Sequence, residues 1–267
     1  MALAALVATA PVQAQQPAPF TAPLDPVCSL GQQQGTGCDA IRARDPLDAS
    51  QPPYSAIGRL NHSGGNIRGH CTATLVSRRH VLTAAHCLWN GARQRWIAPE
   101  SLTFVAGYQQ GGYVAASGIA AVTLSPMAAQ PPAPFAASPS QDWALLTLAA
   151  PLDDTIAPIP IFRGQLSRDG TATLAGYAGL TPQILTLARD CGQPLSVGGE
   201  LIAACSAMPG DSGAPLLWQG QDGTGRTGLF LLGVTSAVSA AAAPYTTRFV
   251  PWFRLPETLA TEPAEED

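Results

Sequence analysis

The sequence predicts an all-β protein made of many short antiparallel strands. Gly and Pro are both abundant, with 26 and 25 copies among 267 residues, which disfavours long helices and suits strands joined by turns. Apolar and polar residues alternate in short runs, as they do in half-buried strands. The length is enough for one large domain or two fused lobes, and we find no repeat with a period of about 20–50 residues.

The first 14 residues, MALAALVATAPVQA, are apolar and end in small side chains. This pattern is typical of a secretory signal peptide cleaved near Ala14. The usual positive n-region is missing. A short buried apolar segment is the alternative to a signal peptide. No other stretch approaches the roughly 20 apolar residues that a membrane-spanning helix needs. We therefore expect a secreted or periplasmic protein with no membrane span in its mature form.

Residues 15–53 are rich in Gln, Pro and Ala with little periodicity. They are predicted to be a leader or propeptide outside the core. Within them, the run from Arg42 to Asp45 is predicted to be an exposed basic site that a processing protease could cut. Ordered structure is expected over residues 54–256, followed by a frayed acidic tail over 257–267.

Within residues 54–256, short alternating runs predict the strands. These runs are 56–60, 71–76, 81–83, 102–106, 119–124, 142–148, 171–179, 184–188, 200–205, 214–218 and 229–236, with 248–253 a last strand or short helix. The segment 125–140 is rich in Pro and Ala and offers few backbone donors to a sheet. We expect it to connect two lobes.

The six cysteines suggest an oxidising compartment and three disulfides. Pairing of neighbours gives Cys28–Cys38, Cys71–Cys87 and Cys191–Cys205, although six cysteines allow 15 connectivities. Zinc binding is the alternative, since His70 and His86 each precede a cysteine. No Cys-x-x-Cys or closely spaced His pair is present, so neither a metal nor another cofactor is expected.

The octapeptide from Met208 to Pro215, MPGDSGAP, is the first candidate for chemistry. Glycines on both sides of Ser212 allow a sharp backbone turn, in which the N–H groups of Gly210 and Ser212 could stabilise an oxyanion. The alternative is a plain turn, because Pro, Gly, Asp and Ser all favour turns. A base and an orienting acid elsewhere in the chain must decide between the two.

A histidine and an aspartate upstream meet this requirement. His86 lies between small residues and beside Cys87, so that a rigid corner can hold its ring as a general base. Asp142 precedes the apolar run 143–148 and is expected to be drawn inward, where a buried carboxylate needs a partner such as His86. The competing acids, Asp153 and Asp154, lie in what reads as a solvated turn.

These strings together resemble one protease family. TAAHC, QDWALLTL and PGDSGAP, in the order His, Asp, Ser, are similar to the chymotrypsin-like (trypsin-fold) serine endopeptidases. The strings CTATLVSRRHVLTAAHCLW and CSAMPGDSGAPL most resemble the bacterial V8-like, glutamyl endopeptidase-related branch. The resemblance covers roughly residues 54–254.

The resemblance implies two six-stranded antiparallel β-barrels with the active site in the cleft between them. His86 would be general base and then general acid, Asp142 its orienter, and Ser212 the nucleophile that forms an acyl-enzyme. The N–H groups of Gly210 and Ser212 would form the oxyanion hole. Peptide bonds of polypeptides would be the substrates.

The same resemblance bears on specificity through four residues assigned to substrate binding, Ser206, Thr235, Ser236 and Val238. Ser206 lies at the base of the expected S1 pocket and offers no carboxylate for Lys or Arg. Thr235 occupies the place where glutamate-specific relatives carry a histidine, and Val238 replaces a glycine at the pocket mouth. A small or medium apolar P1 residue is the resulting expectation.

Activation is the least readable part of the resemblance. In trypsin-like zymogens a freed Ile or Val α-amino group pairs with the aspartate before the nucleophile, here Asp211. No Ile-Val-Gly-Gly string precedes Tyr54. Cleavage after Arg44, which would free Asp45, is one hypothesis. A propeptide-independent enzyme in which Asp211 has another partner is the other.

Other classes of function fit the sequence less well than a protease does. The net charge of −4 and the absence of a basic patch argue against nucleic acid as a partner, and a monomer is expected. A protease-fold protein without activity, acting as a binding module, is the alternative to an enzyme. An α/β-hydrolase esterase is excluded, because Gly-x-Ser-x-Gly is incomplete and no histidine follows Ser212.

Overall fold

The computed structural model describes residue 28 and residues 36–64, 67–128, 139–189, 191–239 and 246–256. The predicted signal peptide at 1–14, most of the predicted leader before residue 36, the centre of the predicted connector at 129–138 and the predicted acidic tail at 257–267 lie outside the described residues. The interpretations of the signal peptide, the leader and the tail stay predictions. The prediction that 125–140 connects two lobes was wrong, because the strands on either side of it, Ala115–Leu124 and Ala144–Leu148, pair with each other in one barrel.

The described residues form one α-helix, five short 3₁₀ turns and sixteen strands. The helix is α1 (Thr36–Arg42), and the 3₁₀ turns are Tyr54–Ala56, Ala85–Leu88, Pro99–Ser101, Pro139–Gln141 and Trp252–Arg254. The strands are β1 (Asp45–Pro46), β2 (Ile57–Gly64), β3 (Ile67–Ser77), β4 (His80–Thr83), β5 (Trp89–Asn90), β6 (Arg95–Trp96), β7 (Leu102–Ala106), β8 (Ala115–Leu124), β9 (Ala144–Leu148), β10 (Thr171–Gly176), β11 (Thr186–Ala188), β12 (Leu195–Val197), β13 (Glu200–Ala203), β14 (Pro215–Gln221), β15 (Thr227–Ser239) and β16 (Thr246–Pro251). The predicted all-β class is confirmed.

The first lobe is a closed antiparallel barrel of six strands in the order β2-β3-β4-β9-β8-β7, with β2 also pairing with β7. Its interior is filled by apolar side chains that alternate with outward-facing residues, as the strand period of two requires. Phe104, Leu75, Leu82 and Leu146 are among the fully buried side chains. The predicted first barrel is therefore present.

The second lobe is a curled half-barrel sheet of eight strands in the order β1-β11-β10-β14-β15-β16-β13-β12. The sequence predicts a six-stranded barrel here. The two edge strands explain the difference, since β12 and β1 extend the sheet on either side. The lobe packs around an aromatic centre, in which the Phe162 ring meets the rings of Trp218, Phe230 and Trp252 edge to face at 5.1–6.5 Å.

Ordered structure begins before Tyr54, and the prediction on that point was wrong. Helix α1 packs Ile41 into a small buried cluster with Ala178 and Met208, and β1 pairs with β11. The polar composition of the segment misled the prediction, because a few well-placed apolar residues and a disulfide suffice to dock it. Whether any part of residues 15–53 is removed stays a prediction.

The six cysteines form three disulfides, Cys28–Cys38, Cys71–Cys87 and Cys191–Cys205. These are the neighbour pairs that the sequence suggests. A cysteine sulfur in a disulfide is not a thiolate ligand, so these residues do not form the alternative zinc site.

Candidate active site

His86 is fixed at a corner of the first barrel. Strand β4 ends at Thr83, and His86 lies in the 3₁₀ turn Ala85–Leu88 that follows. Cys87, the residue after His86, forms a disulfide with Cys71 on β3. The neighbours Ala84 and Ala85 are fully buried. A base whose ring has so little freedom keeps its acceptor nitrogen in one direction.

Asp142 holds this histidine through both carboxylate oxygens. Oδ1 accepts the backbone N–H of His86 at 2.8 Å, and Oδ2 accepts the ring Nδ1–H at 2.6 Å. Oδ2 also accepts the hydroxyl of Ser236, on β15 of the second lobe, at 2.7 Å. Because a carboxylate only accepts, Nδ1 carries the proton and the neutral ring offers Nε2 as its acceptor.

The surroundings of His86 act on its pKa in opposite directions. Burial lowers the pKa, since it disfavours the charged ring, whereas the negative charge of Asp142 and the hydrogen bond to it raise the pKa. The carboxylate prevails, and the pKa of His86 lies above the ordinary value of 6.5. This suits a group that accepts a proton from a serine and stabilises the imidazolium that results.

The turn that carries Ser212 requires glycine at two positions. Gly210 has φ of +102°, and a Cβ there would lie 2.4 Å from the carbonyl oxygen of Tyr177. Gly213 has φ of +78°, and a Cβ there would meet Thr83 Oγ1 at 2.2 Å and the backbone nitrogen of Ala84 at 3.0 Å. Both positions combine left-handed backbone with close approach, which an L side chain would prevent.

The same contacts bring Ser212 to the histidine corner. Gly213 lies so near Ala84, two residues before His86, that a Cβ on it would be 3.0 Å from the Ala84 nitrogen. The backbone N–H of Thr72 donates to the Ser212 carbonyl at 2.9 Å. Within the described part of the chain, the Ser212 hydroxyl makes no hydrogen bond, so the structure joins His86 to Asp142 directly and places Ser212 by its backbone. Hydrogen bonds of a catalytic serine are often long before substrate binds.

Thr72 on β3 links the two lobes at this turn, and sequence reasoning missed it. Its hydroxyl donates to the Gly210 carbonyl at 2.8 Å and accepts the Tyr177 N–H at 3.0 Å. Its own carbonyl accepts the Thr83 hydroxyl at 2.9 Å. A threonine inside an alternating strand gives no signal of such a role.

Two backbone donors of the turn remain open. Among the described residues, neither the Gly210 N–H nor the Ser212 N–H donates to another group of the protein, whereas the Asp211 N–H donates to the Met208 carbonyl at 3.0 Å. Buried backbone donors usually find a partner. The two N–H groups are thus available to an oxygen atom of a substrate.

Asp211 has a partner that the sequence did not reveal, Arg44. The two carboxylate oxygens of Asp211 accept one hydrogen bond each from the guanidinium, both at 2.9 Å. The arginine side chain is only 1% exposed, so the prediction of an exposed cutting site at Arg44 was wrong. Docking of the segment before Tyr54 onto the second lobe is the physical reason.

The four residues assigned to substrate binding differ in what their polar groups do. The Ser206 carbonyl accepts from Arg44 at 2.5 Å, and the Thr235 hydroxyl donates to the Ala214 carbonyl at 2.8 Å. The Ser236 hydroxyl is engaged by Asp142. Val238 is partly buried against the core of the second lobe. Substrate binding by these residues stays a prediction.

A cavity of about 690 Å³ adjoins the turn at Pro209 and Gly210. The remaining lining residues are Arg59, Asn61, His62, Gly69, His70, Tyr108, Gly179, Pro182 and Gln183. His62 and His70 thus line the same cavity as Pro209 and Gly210. Burial lowers the pKa of both imidazoles.

Among the described residues, no group of three or more His, Cys, Asp and Glu side chains is arranged to hold a metal ion. None of the helices described is both long and apolar enough to cross a membrane.

Comparison with known proteins supplies the family. The trypsin family model matches residues 48–254, a span that contains both lobes and the turn of Ser212. No curated protein matches the chain. Because the family model covers well over half of the sequence, the chain belongs to the trypsin family and is a serine protease that hydrolyses peptide bonds.

Proposed function

We propose that the protein is an exported serine endopeptidase that works through a triad of Ser212, His86 and Asp142. The observation that supports this most is the hydrogen-bonded Asp142, which binds His86 on its own lobe and Ser236 on the other. The Ser212 turn lies against the same corner through Gly213 and Thr72. These contacts support an arrangement in which Asp142 orients His86 and His86 takes the proton of Ser212.

The chemistry proceeds in two halves. The Ser212 hydroxyl gives its proton to His86 and attacks the peptide carbonyl, and the tetrahedral oxyanion is held by the N–H groups of Gly210 and Ser212. His86 then protonates the leaving amine, which leaves an acyl-enzyme on Ser212. A water molecule, deprotonated by His86, releases the acid product and restores the serine.

A fluorophosphonate probe tests the triad. The probe reacts with an activated serine and releases fluoride, so we expect covalent labelling at Ser212 and the adduct on the peptide that contains it. Heat-unfolded protein and the Ser212→Ala variant serve as controls and should stay unlabelled. Native protein that shows no adduct would support the alternative, an inactive protease fold that binds partners, which no feature of the site favours.

We further propose that the pocket takes a small or medium apolar P1 residue. Among the described residues, Asp211 is paired with Arg44 and Asp142 with His86, so neither carboxylate is free to bind a basic side chain. The Thr235 hydroxyl donates to the Ala214 carbonyl, and a threonine has no positive charge to bind a glutamate side chain at P1. The V8-like branch would then be a matter of ancestry and not of glutamate specificity.

A cleavage profile on a peptide library checks this preference. We expect Ala, Val or Leu at P1 to dominate the products, because a charged P1 group would be desolvated without a partner. A profile dominated by Arg, Lys or Glu would refute it. The three disulfides support export to an oxidising space, and we propose a monomer.

A further inference from the structure

The ion pair of Arg44 and Asp211 is buried directly behind the catalytic turn. The guanidinium binds both carboxylate oxygens, and its Nη2 also donates to the Ser206 carbonyl at 2.5 Å. The two side chains are 1% and 0% exposed. A bidentate pair of this kind fixes direction as well as distance.

Asp211 in turn fixes the backbone of the turn. Its Oδ2 accepts the Met208 N–H at 3.0 Å, and its backbone carbonyl accepts the Ala214 N–H at 2.8 Å. The two open N–H groups, those of Gly210 and Ser212, flank this residue on either side. If the cation were removed, a buried carboxylate would be left uncompensated, which is strongly unfavourable. Rotation of the carboxylate toward water is the way to relieve that cost, and it would carry both donors with it.

The segment that delivers Arg44 is fastened at three points. We call residues 36–46 the arm. The disulfide Cys28–Cys38 ties helix α1 to the chain before it, Ile41 packs against Ala178 and Met208, and β1 pairs with β11 at its far end. Met208 belongs to the catalytic turn itself. The arm therefore touches the turn both by apolar packing and by charge.

We propose that Arg44 is a positioning residue for the catalytic turn and that the arm is a built-in activation element. The guanidinium provides, from an uncut chain, the buried positive charge that a freed α-amino group provides in trypsin-like zymogens. No cleavage between Arg44 and Asp45 is then needed to assemble the oxyanion site. This inference rests on the proposed function, because it concerns the same Ser212.

The first test compares arginine variants of the arm. Arg44→Met removes the charge at similar length, and Arg44→Lys keeps a charge but loses the bidentate geometry. Arg42→Ala is the matched control, since Arg42 lies on the same arm with 45% of its side chain exposed and forms an ion pair with the exposed Asp39. The readouts are kcat, KM, the rate of fluorophosphonate labelling and cooperative thermal unfolding.

We expect Arg44→Met to lower kcat by about 10²–10³-fold, the effect of losing one oxyanion donor. KM should change far less, because the two N–H groups act on the transition state. Arg44→Lys should recover part of kcat, and Arg42→Ala should behave as wild type. A folded Arg44→Met enzyme with wild-type kcat would overturn the proposal.

A second measurement needs no variant and covers the case in which Arg44→Met does not fold. Wild-type protein is labelled with the probe, and the labelled chain is sequenced from its N-terminus. We expect the labelled, active chain to retain Arg44 in unbroken linkage to Asp45. Labelling confined to chains that begin at Asp45 would overturn the proposal and leave the triad intact. Unlabelled wild-type protein would instead refute the proposed function.

Discussion

Replacing Ser212 with alanine should abolish peptide hydrolysis, with kcat lower by on the order of 10⁶-fold. The change removes the only atom that can form the acyl-enzyme, and the two N–H donors that remain give no covalent route. The Ser212 backbone, which carries the contact to Thr72, is unaffected. Hydrolysis is measured with a chromogenic peptide amide at enzyme concentrations high enough to detect the residual rate.

The control for Ser212 is Ser196→Ala, on the exposed strand β12, which should retain full activity. Both variants should unfold at the wild-type temperature, because neither serine hydroxyl forms a hydrogen bond within the described residues. Turnover in Ser212→Ala within tenfold of wild type would remove Ser212 from the mechanism.

Asp142→Asn should lower kcat by about 10⁴-fold. The asparagine carbonyl can still accept the His86 backbone N–H. Its NH₂ group, however, would face His86 Nδ1, which in the wild type donates to Asp142 Oδ2. Two donors cannot bond each other, so the ring proton is driven to Nε2. That nitrogen can then no longer accept the proton of Ser212.

The pH profile gives the Asp142→Asn variant a second readout. In the wild type, activity requires neutral His86, and its pKa lies above 6.5 because Asp142 outweighs burial. Activity should therefore fall as the pH drops through a midpoint above the ordinary histidine value. The variant keeps the burial and loses the charge, so its midpoint should move to lower pH.

Asp153→Asn is the matched control for Asp142. Asp153 is an exposed acid whose Oδ1 accepts the Thr155 N–H at 2.8 Å. From the sequence it was an alternative to Asp142 as the acid of the triad. The Asp153→Asn variant should show wild-type kcat, and its activity should fall at low pH with the same midpoint as the wild type. A loss of activity confined to Asp153→Asn would move the acid of the triad to that turn.

Candidate residues with an informative local context could be picked out from the sequence. His86 lies between alanines and a cysteine, Asp142 precedes a buried strand, and Ser212 is followed by a glycine with another two residues before it. Local context of this kind restricts backbone and burial, which is why these three could be proposed as a triad, and the contact between His86 and Asp142 is present in the structure. The all-β class followed in the same way from turn formers and alternation.

The contacts that join distant segments were not predictable. Arg44 and Asp211 are 167 residues apart, and an arginine in a polar segment carries no sign of the carboxylate that it meets. Nothing in the sequence indicated that the Ser236 hydroxyl donates to Asp142 on the other lobe. Likewise, edge strand β1 lies in a segment whose composition indicated no strand at all. Pairing across a fold depends on topology, which a single sequence does not encode locally.

The arm also changes what counts as the domain. The family model begins at residue 48, four positions after Arg44. A domain boundary drawn from the family alone would therefore leave Arg44 out, although its guanidinium pairs with Asp211 in the Ser212 turn. Such a fragment would keep both sheets except β1 and every member of the proposed triad, but it would lack the cation that pairs with Asp211. Under the proposed role of Arg44, we expect this fragment to be far less active than a chain that includes the arm.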